Sequence, residues 1–187
     1  MTNEQRSLVE SVGFGGLLSI GTGTLPADIT KWLVSNFDTE ESQLVILGRG
    51  RICVTADSVH NILGLPAGTE RVQYELDGNA INFINNEYNL LEGKAPSISQ
   101  VVDTLKVNKV ADSHYLRLWL MLAFSTFLCP TTSLSISPKC YPSLVNLEQV
   151  SSLNWSQFVV DSLKTSIQRM QRRKSVQGCL FFVLVSK

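Results

Sequence analysis

Apolar positions along this chain recur mostly at helical spacing. Residues 3–11 read as a short helix leading into a glycine-rich stretch, GFGGLLSIGTGT, at 13–24. Ile29, Trp32, Leu33 and Phe37 then fall at i, i+3, i+4 and i+8, one apolar face of a helix opened by Thr24-Leu25-Pro26. Proline suits a first turn, where its missing N–H has no intrahelical bond to lose. After the polar break at 38–42, two β-rich runs, Leu44-Val45-Ile46-Leu47 and Arg51-Ile52-Cys53-Val54, flank Gly48-Arg49-Gly50 and predict a hairpin near residues 43–54. Thr55 is placed to cap a helix carrying Val59, Ile62 and Leu63. Gly64 suits the left-handed position after that helix, and Pro66 bars continuation.

Residues 67–96 are less strongly patterned. Val72-Gln73-Tyr74-Glu75-Leu76 alternates like a short edge strand, and 81–91 reads as helical despite four asparagines. Ser97 or Ser99 can start a helix through Val101, Val102 and Leu105. Asp112 is the expected cap of a helix over 113–129, apolar nearly all round and therefore central to the core. Pro130-Thr131-Thr132 ends it, and 131–146 is loop-rich with one turn near Tyr141. Asn154 and Gln157 resemble a capping box, with Leu153 able to staple onto Phe158. Trp155, Phe158, Val159, Leu163, Ile167 and Met170 form the buried stripe of the helix that follows. Residues 175–185 make a last apolar segment. The pattern as a whole predicts a mainly α chain, one helical domain over 1–187 with a small β-hairpin. Its central helix, 113–129, should be flanked by those at 26–37 and 154–173.

Composition narrows the functional classes. Of 187 residues 44% are hydrophobic and only 17% charged, so a substantial core is expected, and a formal net charge of zero supplies no global field for nucleic acid or an anionic membrane. Cys53, Cys129, Cys140 and Cys179 form no C-x-x-C pair and no zinc spacing. The polar start, MTNEQRSLVESVG, has no apolar signal core, and the apolar run 118–129 is too short to span a bilayer. A reducing nuclear or cytoplasmic compartment fits best.

The candidate chemistry is thin. Gly13-Phe14-Gly15-Gly16-Leu17-Leu18 lacks the last glycine of a dinucleotide fingerprint and follows a polar helix rather than a strand, so close packing is the better use of these glycines. Cys53 and His60 are separated by a strand-to-helix turn; a packed thiol and a surface histidine account for them. Asp112-Ser113-His114 has the letters of a triad, but adjacent residues cannot adopt its geometry, and capping explains Asp112. Asp38, Glu40 and Glu41 read as a solvated acidic turn. No metal site, cofactor, catalytic residue or small-molecule substrate is indicated. One cationic cluster remains, Lys164, Arg169, Arg172, Arg173 and Lys174. It could contact phosphates or a partner, though cations also favour a helix C-terminus through its dipole.

The phrases GFGGLLSI, LPADITKWLVSNFD, ICVTADSVHNILGLPAG, FSTFLCPTTSLSISPK, LNWSQFVVDSL and SVQGCLFF, in that order over residues 8–185, resemble the plant mobile domain family, also called aminotransferase-like. Residues 67–110 match it least. The resemblance implies a mostly helical domain of transposon origin, with members associated with silencing, genome stability and meristem development. The aminotransferase label is a name and carries no catalytic residue to this chain. The expectation is a non-enzymatic, nuclear interaction domain with protein partners and weak or no binding to nucleic acid. A nucleic-acid module using residues 164–174 is the alternative, and a cryptic enzyme is the reading least expected. Relatives of this kind continue past GCLFF, so the chain is further expected to be the N-terminal part of a longer domain.

Overall fold

Capping residues set most of the helices. A computed structural model describes residues 1–20, 27–90, 94–130 and 133–173, the side chains of 27 and 171–173 excepted. In α1 (Asn3–Ser11), Thr2 and Gln5 exchange side-chain and backbone bonds as a capping box. Thr55 and Ser58 do the same at α3 (Ala56–Leu63), as do Ser97 and Gln100 at α5 (Ile98–Val107). A capping box satisfies two N–H groups that a helix start otherwise leaves without partners. Asp77 caps α4 (Gly78–Glu87), and Asp112 caps α6 (Ser113–Ala123) by accepting the Tyr115 N–H at 2.8 Å. Gly64 takes the left-handed conformation (φ 63°) after α3, as its position required. Also present are α2 (Ala27–Ser35), the four-residue α7 (Pro142–Val145) and the long α8 (Trp155–Arg173). The expected cap at Thr24-Leu25-Pro26, Gly21 and Gly23, Gly93, Thr131 and Thr132, and Lys174 with the apolar run 175–185 and Cys179 lie outside the described residues.

The fold is mainly α, and the described residues include one small three-stranded antiparallel sheet whose strands lie side by side in chain order. The hairpin pairs β2 (Gln43–Ile46) with β3 (Gly50–Cys53), Leu44 opposite Ile52, and the two-residue β1 (Phe37–Asp38) adds to its edge. Only Leu44 of the hairpin is fully buried, while Leu47 at the tip stands in solvent. Cys53 is exposed, which corrects the expectation of a packed thiol: β3 lies outside the core and turns this side chain outward.

Other expectations are corrected by packing. Helix α2 buries Thr30, Leu33 and Val34, whereas Ile29 and Trp32 remain 41% and 45% exposed. It lies against α8 rather than α6, so its buried stripe is rotated from the one its apolar residues suggest. Helix α6 packs instead on α1, α5 and α7. Its continuation over Phe124–Leu128 is a π-helix, with the Cys129 N–H bonded to the Phe124 carbonyl five residues back at 2.9 Å. Residues 72–76 form no strand ladder, and Leu147–Ser152 is a 3-10 helix that no sequence signal announced.

The halves of the core meet in an aromatic cluster. Trp155, fully buried at the start of α8, lies edge-on to Phe14 (5.1 Å) and to Phe124 (5.3 Å). Phe124 in turn meets Phe158 edge-on and stacks on Tyr74, 5.3 Å between centroids and 14° from parallel. One cation is buried in this framework. Arg117 of α6 donates from Nε to the Leu144 carbonyl (2.9 Å), from Nη2 to the Val145 carbonyl (3.4 Å) and from Nη1 to Glu87 of α4 (3.2 Å). The Phe83 ring covers its guanidinium at 5.1 Å.

Glycine at 16 permits a close approach of two backbone segments. A methyl group there would overlap the Leu63 carbonyl oxygen and stand 2.7 Å from its carbon, so the 3-10 turn Gly15–Ser19 sits backbone to backbone on the end of α3. Gly68 is used in the same way against the Ser152 carbonyl. Both contacts involve main chain, which cannot swing aside, so Gly16→Ala and Gly68→Ala should each cost about 3 kcal/mol of stability. Gly78→Ala, with nothing within 4 Å of the added carbon and a helical backbone, should be neutral or gain about 0.5 kcal/mol. Chemical denaturation of the three variants checks this ordering.

Candidate functional site

The segment 67–75 runs, with bends at Thr69 and Glu75, beside the approach to α8. Its first part is paired: the Gly68 N–H donates to the Leu153 carbonyl (3.3 Å), the Glu70 N–H to the Ser152 carbonyl (3.3 Å), and the Glu70 carbonyl accepts the Asn154 N–H (2.7 Å). At Trp155 the opposite chain enters α8, and the contacts are irregular: Ala67 bridges Asn154 in the antiparallel sense, Glu70 bridges Leu153 in the parallel sense, and the Ser156 N–H, already in α8, donates to the Pro66 carbonyl (3.1 Å). On the other side Ser143 of α7 takes the place of a strand, its Oγ accepting the Gln73 N–H (2.8 Å) and donating to the Gln73 carbonyl (2.9 Å). The alternation read from the sequence holds in burial over 71–75, where Val72 and Tyr74 face the core and Arg71, Gln73 and Glu75 face solvent, and fails at Leu76, which is 66% exposed. What it lacks is a partner strand.

Where the pairing ends, the chain parts from α8 and leaves a groove of about 810 Å³. One wall is residues 69–75. The other is the α8 stripe Asn154, Gln157, Asp161, Thr165 and Arg169, and Cys129, Pro130, Ser137 and Lys139 close the end. The groove floor carries Tyr74, whose hydroxyl donates to Ser137 Oγ at 3.2 Å and whose ring lies under Lys139 Nζ at 5.9 Å. Burial holds the Tyr74 phenol above its ordinary range, with the nearby Cys129 thiol adding to the effect, so it is a neutral donor at physiological pH. Six charged side chains of both signs line the groove: Glu70, Arg71, Glu75, Lys139, Asp161 and Arg169. Among the described residues none of the six is ion-paired.

The cationic cluster divides. Arg169 is exposed and lines the groove, whereas Lys164 is half-buried and does not. Five residues along an α-helix rotate the second by roughly 140° from the first, so these two do not share a face. The side chains of Arg172 and Arg173 and the whole of Lys174 lie outside the described residues. The other candidates have local roles. His60 Nδ1 is 2.6 Å from the Leu65 carbonyl, which can only accept, so Nδ1 carries the proton. Asp38 Oδ1 accepts the N–H groups of Glu40 and Glu41 and shapes the acidic turn. His114 stands 3.7 Å from Glu87 in the Arg117 cluster. Tyr88 beside it, pushed up to about 12 chiefly by burial, donates its hydroxyl proton to the His114 carbonyl. Cys140 is fully buried, and burial raises its thiol far above reactivity. No group of three or more metal-ligating side chains occurs among the described residues, and no helix there is long and apolar enough to cross a membrane.

Fold and site together define a mainly helical domain with an interrupted strand edge facing a helix-lined groove. A family model described as a domain of unknown function (DUF8566) matches residues 1–184, and the chain belongs to that family. No curated protein and no solved structure matches the chain.

The groove edge was half legible: the alternation at 72–76 marked it, but nothing in the sequence pointed to Ser143, 70 residues away. Removing that hydroxyl leaves the N–H and C=O of Gln73 without partners. Ser143→Ala should therefore lower stability by about 1–2 kcal/mol. Hydrogen exchange should quicken at the Gln73 amide while the β2–β3 amides keep their protection, a pattern that amide-resolved exchange measures.

Proposed function

We propose that the chain is a non-enzymatic protein-interaction domain of transposon origin, like the plant mobile domains whose motifs it resembles, acting in nuclear silencing, genome-stability or developmental complexes. The groove carries this reading. Its rim holds three carboxylates and three cations without ion-pair partners among the described residues. A polyanion entering there would meet Glu70, Glu75 and Asp161 as well as the three cations, and like charges oppose phosphate binding. A protein segment of mixed charge can answer both signs. The resemblance supplies the nuclear and transposon-derived setting, and the ordered motifs over 8–185 are its support.

The test is affinity capture from plant nuclear extract with the wild-type chain and with the double variant Asp161→Lys/Arg169→Glu. Both positions are exposed, so the variant should fold as the wild type does. A set of proteins held by the wild type and lost by the variant is expected. An identical set from both would overturn the assignment of the groove as the interaction site.

The alternative, a nucleic-acid module, rests on Lys164, Arg169, Arg172, Arg173 and Lys174. At about 150 mM salt little or no binding to duplex DNA is expected, because a few phosphate contacts are readily screened and displaced by salt. Tight binding abolished by neutralising Arg169, Arg172 and Arg173 together would replace the interaction reading.

A further inference from the structure

We infer that the groove receives an extended peptide from a partner protein, added as a strand to the Val72–Tyr74 edge and carrying a basic and an acidic residue on the side that faces α8. The inference rests on the interaction reading above and specifies what the groove takes.

The backbone pairing defines the edge. In extended chain, the N–H and C=O groups of successive residues point to opposite sides. Gln73 sends both its N–H and its C=O to Ser143 of α7. Its neighbours Val72 and Tyr74 therefore aim theirs away from α7, to the side of the groove. Among the described residues, neither the N–H nor the C=O of Val72 or of Tyr74 has a hydrogen-bond partner. Both residues line the groove. The groove is thus open to a strand laid along the Val72–Tyr74 edge. Backbone groups in this arrangement recognise a main chain, not a particular side chain.

Length and charge specify the occupant further. From Asn154 to Arg169 the α8 wall runs about 22 Å at 1.5 Å per residue. That accommodates about six or seven residues of extended chain at roughly 3.3 Å each. Asp161 and Arg169 stand about 12 Å apart along this wall. Strand positions i and i+4 share one face and span about 13 Å. A basic residue opposite Asp161 and an acidic residue four positions away opposite Arg169 therefore match the wall in spacing and in sign.

The experiment pans a displayed library of random peptides, each about twelve residues long, against the full chain. Retained peptides are then resynthesised with single backbone N-methyl groups. Enrichment of a basic and an acidic residue four apart is expected. N-methylation at the two residues facing Val72 and Tyr74 should weaken binding by about tenfold each, while methylation at the intervening residues should have little effect. The Asp161→Lys/Arg169→Glu chain should prefer the same peptides with their charges exchanged. Peptides that tolerate methylation at every position, or that bind as helices, would overturn strand addition and leave the interaction reading standing. Failure to retain any peptide, while nuclear proteins are still captured through the groove, would do the same. Peptides and nuclear proteins both indifferent to the charge exchange would overturn both.

Discussion

The burial of Arg117 is the constraint on which the geometry of the groove depends. A guanidinium carries five donors and keeps its charge at any physiological pH, so it must find acceptors wherever the fold places it. On α6 it is 7% exposed, and it finds them in Glu87 and in the Leu144 and Val145 carbonyls at the end of α7. Those carbonyls belong to the last turn of a very short helix and have no intrahelical partner, and a cation there also answers the helix dipole. A hydrophobic side chain at 117 could pack as well, since buried ion pairs rarely add net stability. It would not, however, hold α7 in one position. Because α7 is held, Ser143 meets Gln73, and because Gln73 is held, the chain on either side of it stays extended.

The aromatic cluster supplies the second fixed point. Tyr74 stacks on Phe124 within the π turn, and Phe124 is wedged between Trp155 and Phe158 at the start of α8. The extended segment is therefore pinned from the core by the Tyr74 ring and from the flank by Ser143. Its third side is left to the groove. Beside Glu70 the opposite chain turns into a helix at Asn154, its side chain accepting the Gln157 N–H at 2.8 Å. The element opposite Val72 and Tyr74 is thus a helix, whose backbone groups are bonded within itself and offer them no partner.

Much of the fold was legible because its signals are local. Thr55, Ser97, Asp112 and Asn154 act where the sequence placed them, since a cap needs only the residues two or three positions ahead. The hairpin around Gly48-Arg49-Gly50 followed for the same reason, and so did the packing use of Gly16. The misses share a different cause. Ile29 and Trp32 satisfied a helical period yet remain largely exposed, while α2, packed on α8, buries Thr30, Leu33 and Val34. Cys53 looked buried by residue type and is not, because β3 is an edge strand that turns this side chain outward. Of the cationic cluster, sequence proximity grouped Lys164 with Arg169, while helix rotation separates them.

Residue order and spacing alone were enough to establish a mainly helical chain, the starts of most helices and the turn of one hairpin. Each of these depends on contacts within a few residues, which spacing and residue type encode directly. Long-range packing made the chain around Val72–Tyr74 an edge without a sheet, brought a serine 70 residues away onto it, and set Asp161 and Arg169 across the groove from it. Those facts depend on which element stops where and what lies opposite. A partner distant in the chain leaves no local pattern, so the alternation at 72–76 could announce an edge but not what it would face.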